Sequence, residues 1–183
     1  WKKANQETYR LMIQTVGKEE GQWLDEEDFT NFPCEDLRKI NQLWVNKSQG
    51  KFGFSVQKEI YEGIVVYTKE LGEEEKFKET SKRIGLGILP FDLYDYDNIP
   101  KAHLPNIVGQ PANKIGRKEY ENLSEQLQHK LIDEDIEEEE LEKYHDGFMS
   151  RDEIEMNIMR TIILEMNNKR FISLMQRLIT CKI

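Results

Sequence analysis

The sequence predicts an all-α protein, and three observations carry that prediction. Apolar residues recur at three- and four-residue spacing along most of the chain, the period of one helical face. Only one short run, "GIVVY" at Gly63 to Tyr67, has the β-branched composition of a strand, and it reads equally well as the continuation of a helix. Glycine, proline, serine and acidic pairs punctuate the periodic stretches where helices must start or stop.

Taken in order, the first helix is expected over about Gln6 to Val16, where Tyr9, Met12 and Val16 share a side and Gly17 supplies a stop. The next carries the clearest signals. Pro33 fits a first turn, where a missing N–H costs nothing; Glu35 and Asp36 sit at the positive end of the helix dipole; Leu37, Ile40 and Trp44 line one face. "NKSQGKFG", Asn46 to Gly53, breaks that helix, and Ser55 can cap another in which Val56, Ile60 and Ile64 face one way. Glu73 to Ile84 reads as helical through Phe77 and Ile84. Gly85 to Pro105 holds three of the five prolines and three aromatic rings without a sustained period, so it reads as a long loop, which in compact domains marks function or mobility. Further on, Tyr120, Leu123, Leu127 and Leu131 make an amphipathic helix, Ile154 to Met166 a second, and Phe171, Leu174, Met175 and Leu178 a separate terminal one. Trp23 and Trp44 read as core.

Composition excludes several classes. A chain of 183 residues with 38% hydrophobic and 33% charged residues suits one globular domain with a full core, and no apolar run approaches the roughly 20 residues a membrane-spanning helix needs. The net charge of -9 argues against nucleic acid as a partner, because that affinity comes from Lys and Arg neutralising phosphates. The acidic excess is concentrated in "DEDIEEEELE", Asp133 to Glu142. Cys34 and Cys181 are too few and too distant for a disulfide framework or a zinc site, and are expected as two inert thiols in a reducing compartment. Trp1 at the first position reads as a trimmed or processed chain, which leaves any targeting segment unread.

The common catalytic devices are absent: no phosphate loop, no G-x-G-x-x-G, no G-x-S-x-G and no H-E-x-x-H. Gly85-Leu86-Gly87 lacks a third glycine and a preceding strand. His103, His129 and His145 stand singly, without a second ligand at metal spacing. Asp95-Tyr96-Asp97 and Asp133-Glu134-Asp135 lack the glycine and the glutamate of a calcium loop. Neither an enzyme nor a metal protein is expected.

"NFPCEDLRKINQLWV" followed by "GKFGFSVQKEIY" resembles the signature of the genomes-uncoupled (GUN) tetrapyrrole-binding proteins, porphyrin-carrying activators of magnesium chelatase in cyanobacteria and plastids. "ANQETYRLMIQTVG" is similar to that family's opening helix, "GQWLDEEDF" to its next segment, "FDL…PKAHLP" to its Gly-His-Leu-Pro loop and "LMQRLITCKI" to its closing helix. Two positions depart from the pattern: Leu86 stands where the family has tryptophan, and Ala102 replaces the glycine before His103. The resemblance divides the chain into a tetrapyrrole-binding core (1–105), a charged, mostly helical insertion (106–168) and the closing helix of the core (169–183).

What the resemblance implies is an all-helical, cupped-hand domain that binds protoporphyrin IX or Mg-protoporphyrin IX, with no catalytic cofactor. A porphyrin is a flat apolar disc with two propionates on one edge, so its site needs ring-sized apolar surfaces and cations at the rim. Phe52 and Phe54, set at a bend by Gly53, are the aromatic candidates, with pocket contact expected of Phe52 and a structural role of Phe54. The loop adds Leu86, Ile88, Phe91, His103 and Leu104, and Arg83 and Lys101 are the cations available for carboxylates. For a ligand of roughly 40 heavy atoms, about 0.3 kcal/mol per atom allows about 12 kcal/mol, so nanomolar binding needs no axial histidine. The implied partners are the tetrapyrrole and the large porphyrin-binding subunit of magnesium chelatase, with peripheral membrane association and docking of another protein by the insertion as further expectations. The implied setting is a plastid, stromal or thylakoid-associated, or a cyanobacterial cytoplasm. The alternative is an interaction module in a larger photosynthetic or regulatory assembly, its pocket degenerate, which Leu86 and Ala102 favour. An enzyme acting on tetrapyrroles, such as a bilin lyase, would need an acid–base pair or nucleophile that the sequence does not offer.

Overall fold

The computed structural model describes residues 1–67, 70–84, 99–108 and 151–183, the last helix in side-chain detail from residue 166 onward. Described helices are α1 (Lys2–Thr15), α2 (Glu26–Asn31), α3 (Cys34–Lys47), α4 (Phe54–Tyr67), α5 (Glu73–Ile84) and α6 (Arg151–Thr180), with no strand among the described residues. The all-α expectation holds. The chain divides into two compact units, Trp1–Asn113 together with Asn167–Ile183, and Lys114–Met166.

In the first unit one apolar core gathers a stripe from each helix: Met12 and Ile13 of α1, Phe29 of α2, Leu37 of α3, Phe54 and Tyr61 of α4, Phe77 and Ile84 of α5, and Phe171, Leu174, Met175 and Leu178 of α6. These recur at helical spacing, so each helix buries one face. Burying each large side chain is worth about 1.5–3 kcal/mol relative to exposure. Tyr61 and Phe77 both meet Phe171, at centroid distances of 5.9 and 5.6 Å, which fixes the closing helix against α4 and α5.

The helix ends follow local chemistry. After α1 the backbone turns left-handed at Gly17 (φ +75), whose N–H donates to Gln14 O while Lys18 N–H donates to Ile13 O. This paired closure satisfies carbonyls that the helix leaves open. The same closure ends α3 with Gln49 (φ 54) and Gly50, and α6 with Lys182 (φ 56) and Ile183, so two of the three left-handed positions are taken by residues with a Cβ.

Some expectations are corrected. Pro33 is the residue preceding α3 rather than its first turn, with extended ψ of 123°. Ser55 lies inside α4, and its N–H and hydroxyl both donate to Asn41 Oδ1 of α3 instead of capping. "GIVVY" is the end of α4. The two helices expected after Ile154 are one continuous α6. Trp23 is only partly buried, with the Arg170 guanidinium 4.4 Å from its ring centre. The helix expected around Tyr120 to Leu131 lies outside the described residues.

The short α2 was not expected. Its start is a reciprocal cap: Asp28 N–H donates to Asp25 Oδ1 at 3.0 Å and Asp25 N–H to Asp28 Oδ2 at 2.7 Å. Lys18 closes the arrangement by donating to Asp25 Oδ2 at 2.7 Å, to Asp28 Oδ2 and to Trp23 O. Burial pulls the Lys18 ammonium toward a lower pKa, but hydrogen bonds and attraction from Asp25 and Asp28 outweigh it and the net shift is upward. Asp25 is shifted down, its own partial burial being outweighed by Lys18 and by the Asp28 backbone.

The cysteines also overturn their expectation. Cys34 and Cys181, 147 residues apart, form a disulfide with a Cα–Cα distance of 5.3 Å. It joins the start of α3 to the turn after α6. Sequence distance misled because the closing helix returns to the beginning of the core, a long-range contact no spacing rule reports.

Candidate functional site

Two irregular stretches of the first unit, Ser48 to Gly53 and Ile99 to Val108, meet each other. Helical stretches satisfy their own backbone, but these cannot, so every buried polar group there needs a specific partner. Gly53 N–H donates to Leu104 O and Ala102 N–H to Lys51 O, each at 2.9 Å. The buried Gln57 amide, from α4, donates to Ala102 O at 3.0 Å and Pro105 O at 2.9 Å. Asn5 of α1, fully buried, brackets Asn106: its Oδ1 accepts Asn106 N–H at 2.8 Å and its Nδ2 donates to Asn106 O at 3.3 Å. His103 Nδ1 lies 3.0 Å from Ile84 O, so that nitrogen carries the proton and donates. The result ties the end of α5 to the start of α4 through one clamped strip of backbone.

Within this frame the two rings part company. Phe52 joins Trp44, Ile99 and Leu104 in a small cluster, and Phe54 enters the main core; both are fully buried. The bend at Gly53, with φ +136, separates them. A Cβ there would lie 2.7 Å from Val45 Cγ2 and 3.0 Å from Asn41 Oδ1, so α3 passes too close for any other residue.

The other expected site residues divide as follows. His103 and Leu104 are buried in the clamped strip, Leu104 against Phe52. Lys101 is exposed beside them. Arg83 is exposed near the end of α5, its Nε 2.8 Å from Glu79 Oε1. Leu86, Ile88 and Phe91 lie outside the described residues. The structure thus brings Phe52, Leu104 and His103 together, sends Phe54 elsewhere, and leaves both cations on the surface.

A further apolar surface lies one layer outward. Between α1 and α3 runs an apolar groove of about 220 Å³, walled by Trp1, Leu11, Ile40, Leu43 and Trp44, with Glu7 and Lys47 at its edge. Trp1 stacks on Trp44 with centroids 5.6 Å apart, and both meet Phe52 edge-on, at 5.0 and 6.3 Å. Trp44 is held by an indole N–H donated to Thr8 Oγ1 at 2.9 Å. The groove is therefore the outer surface of the Phe52 cluster. Its sequence signal was Leu43, an apolar residue one step off the Leu37–Ile40–Trp44 face and 62% exposed. Among the described residues no group of His, Cys, Asp or Glu is placed to hold a metal ion.

Comparison with known proteins places these residues in a family. The family model described as GUN4-like matches residues 1–118. The chain is 33% identical to an uncharacterized protein ycf53 of Porphyra purpurea over 110 residues, 56% of this chain and 42% of that protein. It is 41% identical over 64 residues, 33% of this chain and 24% of that one, to the tetrapyrrole-binding protein, chloroplastic, of Arabidopsis thaliana. A ycf53-like protein of Synechocystis sp. is 44% identical over 45 residues, a quarter of this chain and 19% of that protein. These matches span less than half the length of each relative. No solved structure matches. Phe52, Gly53, Gln57 and Leu104 all lie inside the matched stretch, and the chain belongs to the GUN4-like family.

Proposed function

We propose that this protein is a non-catalytic, porphyrin-binding regulator that takes protoporphyrin IX or Mg-protoporphyrin IX and stimulates magnesium chelatase through its large porphyrin-binding subunit. The observation that carries the reading is the family match over residues 1–118, which includes the Asn31 to Tyr61 motif. The Arabidopsis relative named as tetrapyrrole-binding and chloroplastic supports the ligand class and a plastid or cyanobacterial setting. Burial of four of the expected site residues, together with the resemblance, suggests a division of labour. The buried Phe52, Phe54, His103 and Leu104 hold the frame rigid, and ligand contact falls to Leu86, Ile88 and Phe91, with Arg83 and Lys101 supplying charge to the propionates.

Titrating deuteroporphyrin while following the fluorescence of the three tryptophans tests binding: saturable quenching at micromolar porphyrin is expected, and its absence removes the reading. A reconstituted chelatase assay tests the regulatory part, since porphyrin binding without faster metal insertion would leave a carrier and not an activator. The exposed groove favours a second reading, an interaction module inside a larger assembly. Co-purification of a stable partner with no Soret band in the absorbance spectrum would support it over the first.

A further inference from the structure

We propose that Cys34–Cys181 is a reversible thiol–disulfide exchange site for a dithiol protein, and that its reduction lowers the stability of the docked 167–183 segment without releasing it. Access to the bond is one-sided. Cys181 is 1% exposed and sits in the core with Leu178, whereas Cys34, at the first position of α3, is only partly buried. In this proposal the incoming thiolate attacks the sulfur of Cys34, the more exposed residue of the two. Attack there forms a mixed disulfide with Cys34, breaks the Cys34–Cys181 bond and expels Cys181 as a thiolate, which takes a proton from water. The second thiol of the partner then attacks its own sulfur in the mixed disulfide and frees Cys34 as a thiol. Two electrons pass to this chain, and the partner leaves as a disulfide.

Three hydrogen bonds that do not involve sulfur bracket the same junction. Arg38 Nη2 of α3 donates to Cys181 O at 2.7 Å, Arg177 Nε of α6 to Phe32 O at 2.7 Å, and Lys58 Nζ of α4 to Ile183 O at 2.8 Å. Together with the buried Phe171, Leu174, Met175 and Leu178 they hold the turn after α6 in place when the sulfurs separate. Cys181 then stays beside Cys34, so re-oxidation by the partner's disulfide form runs the exchange in reverse: Cys34 forms the mixed disulfide, and the neighbouring Cys181 thiolate closes on Cys34 and expels the partner as a dithiol. A cross-link across 147 residues chiefly restricts the unfolded chain, so its loss leaves the fold but lowers the melting temperature, by roughly 10 °C.

The test uses maleimide labelling, a trapping partner and thermal unfolding of the whole chain. Air-equilibrated folded protein should take up no label. After treatment with a thioredoxin-type dithiol protein and its reductant the folded chain should take up one label, on Cys34, and a second only on denaturation, with unchanged helical circular dichroism and a lowered melting temperature, and replacing the reductant with the oxidised dithiol protein should restore the unlabelled form. A dithiol protein whose resolving cysteine is replaced by serine should be captured on Cys34. Cys181→Ser should melt like the reduced chain and ignore reductant. Two labelled thiols in the air-equilibrated protein after denaturation without reductant, capture on Cys181, loss of helix on reduction, or equal melting of the oxidised and reduced chains would each overturn the proposal; the labelling and capture arms stand even if the serine variant fails to fold.

Discussion

Gly53 shows what a single residue decides. Its φ of +136 and the 2.7 Å approach of Val45 to an added Cβ mean that Gly53→Ala must both strain the backbone and push α3 away. The expected cost is about 3 kcal/mol, read as a lowered denaturation midpoint at constant slope. Gln49 is the opposite case. It occupies a left-handed position with φ 54, is exposed, and closes α3 as Gly17 closes α1. Gln49→Gly should stabilise by about 0.5–1 kcal/mol, since relief of about 1–2 kcal/mol of backbone strain exceeds the entropy glycine adds to the unfolded chain. Ala102, also left-handed with φ 63, is different again, because it is fully buried and glycine would forfeit a packed methyl group. Gly53 was legible as a bend in the sequence. Its purpose was not, since one ring on each side of a glycine leaves open whether the two rings share a surface or part.

At the scale of elements, α1, α3, α4 and α5 were legible because each buries one stripe and shows it in its period. The six-residue α2 has too few turns for a period, and its signal was instead the Asp25-x-x-Asp28 pair and the acidic first turn. The apolar pattern of α6 predicts two helices because Asn167, Asn168 and Lys169 interrupt it, although polar residues do not end a helix unless the backbone turns. The Lys18 bracket over α2 predicts a pH effect. Asp25 is shifted below its ordinary value near 3.8 in the folded chain, so the stability it contributes is full above that value and is lost as pH falls through the lower folded one. Lys18→Met should weaken the downward shift, leaving the Asp28 contribution, and begin the acid loss of α2 at higher pH than in the parent chain. Amide exchange of Phe29 and Thr30 between pH 5 and pH 3 checks it, and the change at neutral pH should be about 1 kcal/mol or less because the pair is largely solvated.

Across the whole molecule, the first unit depends on pieces of chain far apart in sequence. The disulfide, the Arg177–Phe32 and Lys58–Ile183 hydrogen bonds and the Phe171 contacts all bring residues after 166 back to α2, α3 and α4. Core and groove should respond differently to substitution. Leu37→Ala, at a fully buried position, should cost about 2–5 kcal/mol, whereas Leu43→Lys, on the exposed wall of the groove, should stay within about 0.5 kcal/mol in thermal melts. A large loss in the second variant would show that the groove wall is a structural surface of the fold.

The amino-acid order by itself determined the helical class, the place of the longer helices, the glycine at the bend and the family, because these rest on local backbone preference, on one-faced periodicity and on runs of matched residues. Tertiary structure alone decided that Cys34 meets Cys181, that Phe52 and Phe54 enter separate clusters, that His103 donates to Ile84 O and that Leu43 stays in solvent. Those facts depend on which distant segments come to lie against each helix. A helical period states that a face is buried, and it carries no information on what buries it.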